Sequence, residues 1–287
     1  MAGRFAPSPT GPLHFGSLLT ATASYLEAHT RNVPWRLRFD DLDAPRSIAG
    51  AEDAIKQALE AHGLHWEGPV SYQSQHADAY AHALSQLAKM DMLFYCTCSR
   101  RELKNFSSYP GTCRAHRMHR ANAAIRVAVA DYRVEFDDAV QGTQRCSLAA
   151  SVGDFIVRRR DGLIAYQLAT AVDDGDADID HVVRGADLLD NTPRQLFLIE
   201  SLGLSAPSYA HVPLITHADG AKLSKQTGAP AVTASQAPGN LLNALRMLGT
   251  PAPAAALHWS CEDILQWAKG AWDLRKVPKV PSLIGRN

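Results

Sequence analysis

Residues 4–17, Arg-Phe-Ala-Pro-Ser-Pro-Thr-Gly-Pro-Leu-His-Phe-Gly-Ser, leave few ways for this chain to begin. A short apolar start runs into a loop broken by three prolines and a glycine. From Ser17 the pattern turns helical, with Leu18, Leu19, Ala21, Thr22, Ala23, Tyr25 and Leu26 spread over the next turns. Strand, tight loop and helix N-terminus together offer backbone N–H groups and a positive dipole end to a phosphate. Pro7 and Pro9 fix φ and hold the loop open, and Gly16 lets a planar base approach the backbone. His14 can donate to phosphoryl oxygens as charge develops on them. Taken alone, the stretch also reads as an ordinary turn between a buried strand and a buried helix.

A second stretch, Lys222-Leu223-Ser224-Lys225-Gln226, changes the balance. Alone it is a solvated turn with two exposed lysines. Together the two stretches resemble the HIGH and KMSKS signatures of class I aminoacyl-tRNA synthetases. Arg-Phe-Ala-Pro-Ser-Pro-Thr-Gly, Arg-Phe-Asp-Asp-Leu-Asp, Val-Arg-Gly-Ala-Asp-Leu and Asn-Thr-Pro-Arg-Gln resemble its glutamyl branch over residues 3–280. Chain length and cysteine pattern are similar to the short members that glutamylate queuosine in tRNA(Asp). Two departures stand out. Ser17 occupies the place of the second histidine, and Leu223 and Gln226 replace methionine and the last serine. A hydroxyl partly replaces the lost ring donor and Lys225 is intact, so activity is expected.

A chain of 287 residues suits one large α/β domain with an insertion, or two domains. Its formal net charge of zero gives no bulk support to a nucleic-acid partner, so any such footprint must be local. The chain starts without a charged-then-apolar leader, and no apolar run approaches the ~18 residues of a membrane span. Five cysteines, an odd number with three clustered, suit a reducing compartment. A cytoplasmic monomer is expected.

Trp35–Phe39 alternates like a strand, Ile48 to Ala61 and Ala77 to Met90 read as helices, and Gly63 suits a C-terminal cap. This alternation predicts a doubly wound parallel sheet of Rossmann type. Short β-like runs follow at Ile125–Val129 and Tyr132–Phe136. Further on come Asp154–Arg158, a turn at Asp161-Gly162, a run at Leu163–Tyr166, a helix from Gln167 and a strand at His181–Val183. Another helix opens at Thr192-Pro193, with the threonine as cap. After a long Ala/Pro/Gly/Ser/Thr segment from Ala221 to Gly239, helices are expected at Leu241 to Leu248 and Ser260 to Trp272. The second has Ser260 and Asp263 in capping-box spacing. The expected organisation is 1–95 as the first half of the catalytic domain and 96–150 as a zinc-bearing insertion. Residues 151–239 then form the second half with the KLSKQ loop, and 240–287 a short helical part without an anticodon-binding domain.

The chemistry of adenylate formation is in-line attack of a carboxylate on the α-phosphorus, so the protein chiefly positions groups and neutralises charge. The expected catalytic residues are His14, Gly16, Ser17, Lys222 and Lys225, with Pro9, His14, Gly16 and Lys225 on magnesium-bound ATP. Arg4 and Arg184 offer planar forks for carboxylates, and Asp40 an anion for the ammonium. By resemblance, Arg4, Phe5, Ala6, Pro7, Ser8, Asp40, Tyr166 and Arg184 form the glutamate pocket. A salt bridge of Arg184 with Asp187 is the structural alternative.

Cys96, Cys98 and Cys113 are three soft ligands suited to a structural zinc. Spacing points to His116 as the fourth, whereas the resemblance points to Tyr109, which is adopted here. The basic cluster Arg100, Arg101, Lys104, Arg114, Arg117 and Arg120, with His116 and His119, suits RNA phosphates or a solvated face. The acidic run Asp173, Asp174, Asp176, Asp178 and Asp180 is expected away from the RNA or at a turn. The resemblance implies activation of L-glutamate with ATP and its transfer to the queuosine base in the anticodon loop of tRNA(Asp). The alternatives are a short form charging a tRNA 3′ end and a catalytically silent RNA-binding relative.

Overall fold

The computed structural model describes residues 1–176, 178–216 and 230–284. Its first half runs β1 (Ala2–Phe5), α1 (Phe15–Thr30), β2 (Trp35–Phe39), α2 (Ala51–Ala61), β3 (Ser71–Tyr72), α3 (Ala77–Lys89), β4 (Leu93–Cys96) and α4 (Arg100–Leu103). Next come β5 (Ala124–Val127), β6 (Arg133–Asp138), β7 (Gly142–Ser147), α5 (Leu148–Ser151), β8 (Phe155–Arg158) and α6 (Tyr166–Asp176). The remainder is β9 (Ile179–Gly185), α7 (Thr192–Ser201), β10 (Ser208–Val212), β11 (Leu214–Thr216), α8 (Ala237–Met247), α9 (Cys261–Ala271) and β12 (Ser282–Ile284).

The main sheet has the order β3-β2-β1-β9-β10-β6-β7, parallel from β3 through β6 and closed by the antiparallel β7. The chain builds outward from β1 to β2 and β3, then restarts on the other side with β9 and β10. The crevice at the carboxyl ends of β1 and β9 is therefore the switch point where such sheets bind ligands. The expected α/β class with a parallel core is what the chain adopts. The 96–150 stretch is divided between two sheets. β5 joins β4 and β8 in a separate antiparallel sheet, while the β6–β7 hairpin extends the main one.

Both faces of the main sheet are covered, and they differ. Trp35, Leu37 and Phe39 belong to one apolar core with α1 and with Leu241, Leu245, Ile264 and Leu265 of α8 and α9. Helix α1 is buried nearly all round because the sheet lies on one side and α8 and α9 on the other. The Trp272 indole donates to Glu27 of α1 at 2.8 Å. α9 begins where expected, with Ser260 and Asp263 forming a reciprocal capping box. On the opposite face, alternation in β1 and β2 turns Arg4 and Arg38 toward α6, where a buried strand position cannot leave a guanidinium unpaired.

Two local expectations change. Leu163–Tyr166 makes only an isolated bridge, Arg158 to Ile164, because the Ala165 carbonyl already accepts from Leu168 and Ala169 and opens α6. Thr192 does not cap α7 with its side chain; the hydroxyl is spent on Arg184.

Candidate active site

A cavity of about 460 Å³ opens at the switch point, within the ~300–1,000 Å³ of small-molecule sites. The end of β1 gives it Phe5, the loop that follows gives it Ala6, Pro7 and Ser8, and the N-cap and first turn of α1 give it His14, Gly16 and Ser17. Arg4, Asp40, Tyr166 and Arg184 also line it, so the expected glutamate-pocket residues converge. Pro9 does not: it is buried beneath the loop, and its carbonyl accepts from the Ile48 amide at 2.9 Å. The Asp40 amide donates to the Pro7 carbonyl at 3.1 Å, which fixes the end of β2 against the loop.

His14 is the N-cap of α1. Its Nδ1 accepts from the Ser17 amide at 3.3 Å, and its Nε2 lies 3.0 Å from the Ser17 hydroxyl. An amide N–H can only donate, so Nδ1 is the acceptor and a neutral ring carries its proton on Nε2, toward Ser17. Ser17 thus extends the histidine by one hydroxyl.

The two arginines are held in the same way. Arg4 spends Nε and Nη2 on Asp174, at 3.1 and 2.9 Å. Arg184 spends Nε on His211 Nε2 at 2.9 Å and Nη2 on the Thr192 hydroxyl at 2.8 Å. In each, Nη1 makes no hydrogen bond among the described residues, and that of Arg184 is fully buried. Arg184 pairs with His211 rather than with Asp187 because β9 and β10 place Arg184 and His211 side by side in register. The next strand carries the row further: His211 Nδ1 lies 2.5 Å from Asp138 Oδ2. A carboxylate can only accept, so Nδ1 is protonated and Nε2 is left to receive the Arg184 N–H. Burial lowers the His211 pKa in spite of Asp138, keeping the ring neutral.

Asp174 also accepts from Arg38 at 2.7 Å, and Asp173 is ringed by Gln73, His76 and Tyr80 at 2.7–2.9 Å. Burial would raise the Asp174 pKa, but Arg4 and Arg38 overturn that and hold it far below the usual carboxylate range. The acidic run divides: Asp178 lies at the turn between α6 and β9, whereas its first two members face inward. Asp173 and Asp174 are buried counter-ions of the site, because α6 turns them toward the sheet's arginines. Asp40 accepts from Arg38 at 2.9 Å, yet burial still raises its pKa, so this anion gains from a further cation in the cavity.

Lys222 and Lys225 lie outside the described residues. Their flanks do not: Leu214 and Ile215 line the cavity, and Ala231 forms a bridge with His14 while the Val232 amide donates to the Leu13 carbonyl at 3.0 Å.

The thiols of Cys96, Cys98 and Cys113 lie within 4.8 Å of one another, a set that could hold a metal ion. The Tyr109 hydroxyl is 3.5 Å from the Cys96 sulfur and 3.9 Å from that of Cys98, and it accepts from the Cys113 amide at 2.9 Å. The His116 ring lies instead against Arg120. Three of the basic residues are committed within the protein. Arg114 pairs with buried Asp154, Arg117 donates to the carbonyls of Asp91 and Leu93, and Arg120 meets His116. Arg100, Arg101 and Lys104 are exposed.

The model of tRNA synthetases class I (E and Q), catalytic domain, matches residues 1–257. The glutamyl-Q tRNA(Asp) synthetase of Pseudomonas aeruginosa is 48% identical over 98% of this chain and 96% of its own length. That of Pseudomonas fluorescens is 49% identical over 98% and 95%. The chain belongs to the class I tRNA synthetases, in the glutamyl-Q tRNA(Asp) synthetase branch. As a member of this synthetase family it is a ligase. A crystal structure of a glutamate tRNA ligase from Elizabethkingia meningosepticum in complex with its amino acid superposes with a TM-score of 0.80 at 25% identity. The match covers 97% of this chain and 66% of that one. The glutamate–tRNA synthetase of Elizabethkingia anophelis gives 0.80 and 25% over 99% and 67%.

Within this synthetase framework, Arg38, Asp173, Asp174, Asp138, Thr192 and His211 support the pocket from behind, and no local motif marks them as site residues. Some signals were present. Arg38 sits on the alternate face of a strand whose other face is Trp35, Leu37 and Phe39. Asp173 and Asp174 follow Leu168, Ala169, Ala171 and Val172 on one helix. In a sheet buried on both faces such residues must find each other.

Proposed function

We propose that this protein activates L-glutamate with magnesium-bound ATP to glutamyl-adenylate and transfers it to the queuosine base in the anticodon loop of tRNA(Asp). The observation that carries this is the pair of anchored guanidinium groups, Arg4 and Arg184, which line one cavity and each keep an Nη1 without a hydrogen bond among the described residues. Two cations match the two carboxylates of glutamate, and Asp40 matches its ammonium. On the other wall, His14 and Ser17 at the N-terminus of α1 suit the phosphates of ATP, with Gly16 beside the base. The α-carboxylate attacks the α-phosphorus and pyrophosphate leaves; the donors at His14 and Ser17 meet the growing charge. Lys222 and Lys225 would neutralise the leaving pyrophosphate. Support comes from their covalent flanks, since Ala231, paired with His14, follows Lys225 by six residues, within ~20 Å of chain. The names of the relatives in Pseudomonas favour queuosine-bearing tRNA(Asp) as acceptor.

The same reading gives the thiol cluster a structural zinc, held by Cys96, Cys98, Cys113 and Tyr109. With Zn–S bonds of ~2.3 Å, tetrahedral sulfurs lie ~3.8 Å apart, and Cys98 and Cys113 are 3.5 Å apart. Bound zinc would tie the β4 end to the loop that Arg114 fastens to Asp154. The five free thiols fit the cytoplasm, and no helix among the described residues is long and apolar enough to cross a membrane.

The test is labelled glutamate incubated with ATP and tRNA(Asp) with and without queuosine, with tRNA(Glu) alongside. Label is expected on the modified tRNA(Asp) alone. Equal labelling of the two forms of tRNA(Asp), or charging of tRNA(Glu), refutes the reading.

A further inference from the structure

Tyr166 lines the catalytic cavity, and the next residue, Gln167, lines a second cavity of about 360 Å³. The two share a wall. The Gln167 amide donates to Asn191, which ends the 3-10 turn whose Asp187 and Leu188 face the first cavity. The second cavity is closed by Arg126 of β5, Phe155 of β8, Arg194 of α7 and the Phe106–Tyr109 loop after α4.

Its arginines have partners other than carboxylates, and Arg126 also hydrogen-bonds the Cys96 thiol. Asp154 also lines it, but that carboxylate is taken by Arg114 at 2.6 and 2.8 Å and by the Val129 amide at 2.8 Å. Arg126, 8% exposed, donates Nη1 to the Asp154 carbonyl and lies 4.0 Å over the Tyr109 ring. Arg194 donates Nη2 to the Asp190 carbonyl at 3.3 Å. Neither forms an ion pair with a described carboxylate, and the Nε of each is buried without an acceptor. Burial lowers the Arg194 pKa in spite of the nearby Asp190 carboxylate. Gln167, also 8% exposed, has an Oε1 without a donor. At the rim, Phe106 is 54% exposed, with Ser107 beside it.

One buried and one half-buried guanidinium group without carboxylates ask for an anion, an exposed aromatic ring asks for a flat partner, and an idle amide carbonyl asks for an amine. Unstacked nucleotides in RNA loops supply all three, being bound by aromatic stacking, arginine and base-edge hydrogen bonds. We propose that this second cavity holds one unstacked nucleotide of the RNA substrate, neighbouring the base that is modified. Its phosphate meets Arg126 and Arg194, its base lies on Phe106, and its amine edge faces Gln167. This rests on the reading that the first cavity acylates an RNA base, and it explains how a chain of zero net charge seats its RNA.

Three variants test it: Arg194→Ala, Arg194→Lys and Phe106→Ala. Glutamate-dependent ATP–pyrophosphate exchange without RNA is expected to stay within about twofold of wild type, because no RNA takes part. In the transfer reaction, Arg194→Ala and Phe106→Ala are expected to raise the KM for queuosine-bearing tRNA(Asp) about tenfold, or 1.4 kcal/mol. Arg194→Ala should also lower the salt slope of tRNA binding by about one, whereas Arg194→Lys keeps the slope and loses affinity. An unchanged KM in either alanine variant overturns the proposal, as does loss of exchange in step with transfer, which would place these residues in the fold. Fluorescence anisotropy of labelled tRNA(Asp) separates this idea from the one beneath it. Wild type without exchange defeats the activation reading, yet equal tRNA affinity in wild type and Arg194→Ala still sinks the nucleotide cavity.

Discussion

Replacing Asp138 by asparagine would change one atom of the row that ends in Arg184. Asp138 Oδ1 accepts from the amides of Val140, Gln141 and His211 at 3.1, 2.8 and 3.1 Å. Three donors fix which end of an asparagine replaces it, so the carbonyl stays at Oδ1 and the NH₂ takes the place of Oδ2. That NH₂ would face the His211 Nδ1–H, two donors at 2.5 Å. The ring escapes by moving its proton to Nε2, which then confronts the Arg184 Nε–H at 2.9 Å. Arg184 must turn away, and a substrate carboxylate loses one charge-assisted hydrogen bond of ~1.5–3 kcal/mol. The KM for glutamate in ATP–pyrophosphate exchange is expected to rise about 10- to 100-fold, with the KM for ATP within about threefold. Unfolding in urea should show a loss of ~1–3 kcal/mol from the strained hydrogen bonds. A lower urea midpoint with an unchanged KM for glutamate would refute the reasoning and leave Asp138 as a structural residue.

Other expectations follow from the same geometry. Asp174→Asn leaves Arg4 and Arg38 without their shared anion; a loss of ~3–5 kcal/mol in urea unfolding and of measurable exchange is expected. Burial pushes the His181 pKa down to about 4, so the folded state binds fewer protons than the unfolded one below pH 6.5. Its stability is full above that pH and falls by ~3 kcal/mol as the pH drops toward 4; His181→Gln should flatten the urea midpoint across this window. His211, His62 and His29, also lowered by burial, act in the same direction. Gly153 has φ +68°, and a Cβ there would meet the Tyr109 backbone at 2.8 Å. On the zinc reading proposed above, Gly153→Ala should therefore displace Tyr109 and lower the zinc-to-protein ratio measured by atomic absorption, with exchange retained.

How far the sequence spoke depends on what each residue type had to satisfy. Strands and helices of the apolar core were legible because their periodicity records which side is buried: β2 and α3 lie within a residue of their expected bounds. α2 starts three residues late, since Gly50 adopts φ +78° ahead of Ala51. The front of the pocket was legible through its family resemblance. What remained hidden was the layer behind it. Thr192 looks like a cap, Asp174 like part of a surface run and His211 like one strand residue among several. Their partners are 8, 170 and 73 positions away. Such pairings are set by sheet order and register, which local patterns do not record. Likewise, spacing pointed to His116, whereas Gly153 lets the Tyr109 backbone come close and brings its hydroxyl to the thiols.

The bridge between His14 and Ala231 has a consequence during synthesis. The loop that would meet ATP leaves the ribosome first, but the backbone partner that pins it is made 217 residues later (231 − 14). At ~5–20 residues per second, that is a wait of roughly 10–45 s. Strand β1 waits almost as long for its neighbour β9. A nascent chain of this length therefore holds its central strand half-paired until β9 is made, and pauses or truncations before residue 186 would leave that edge open to other chains.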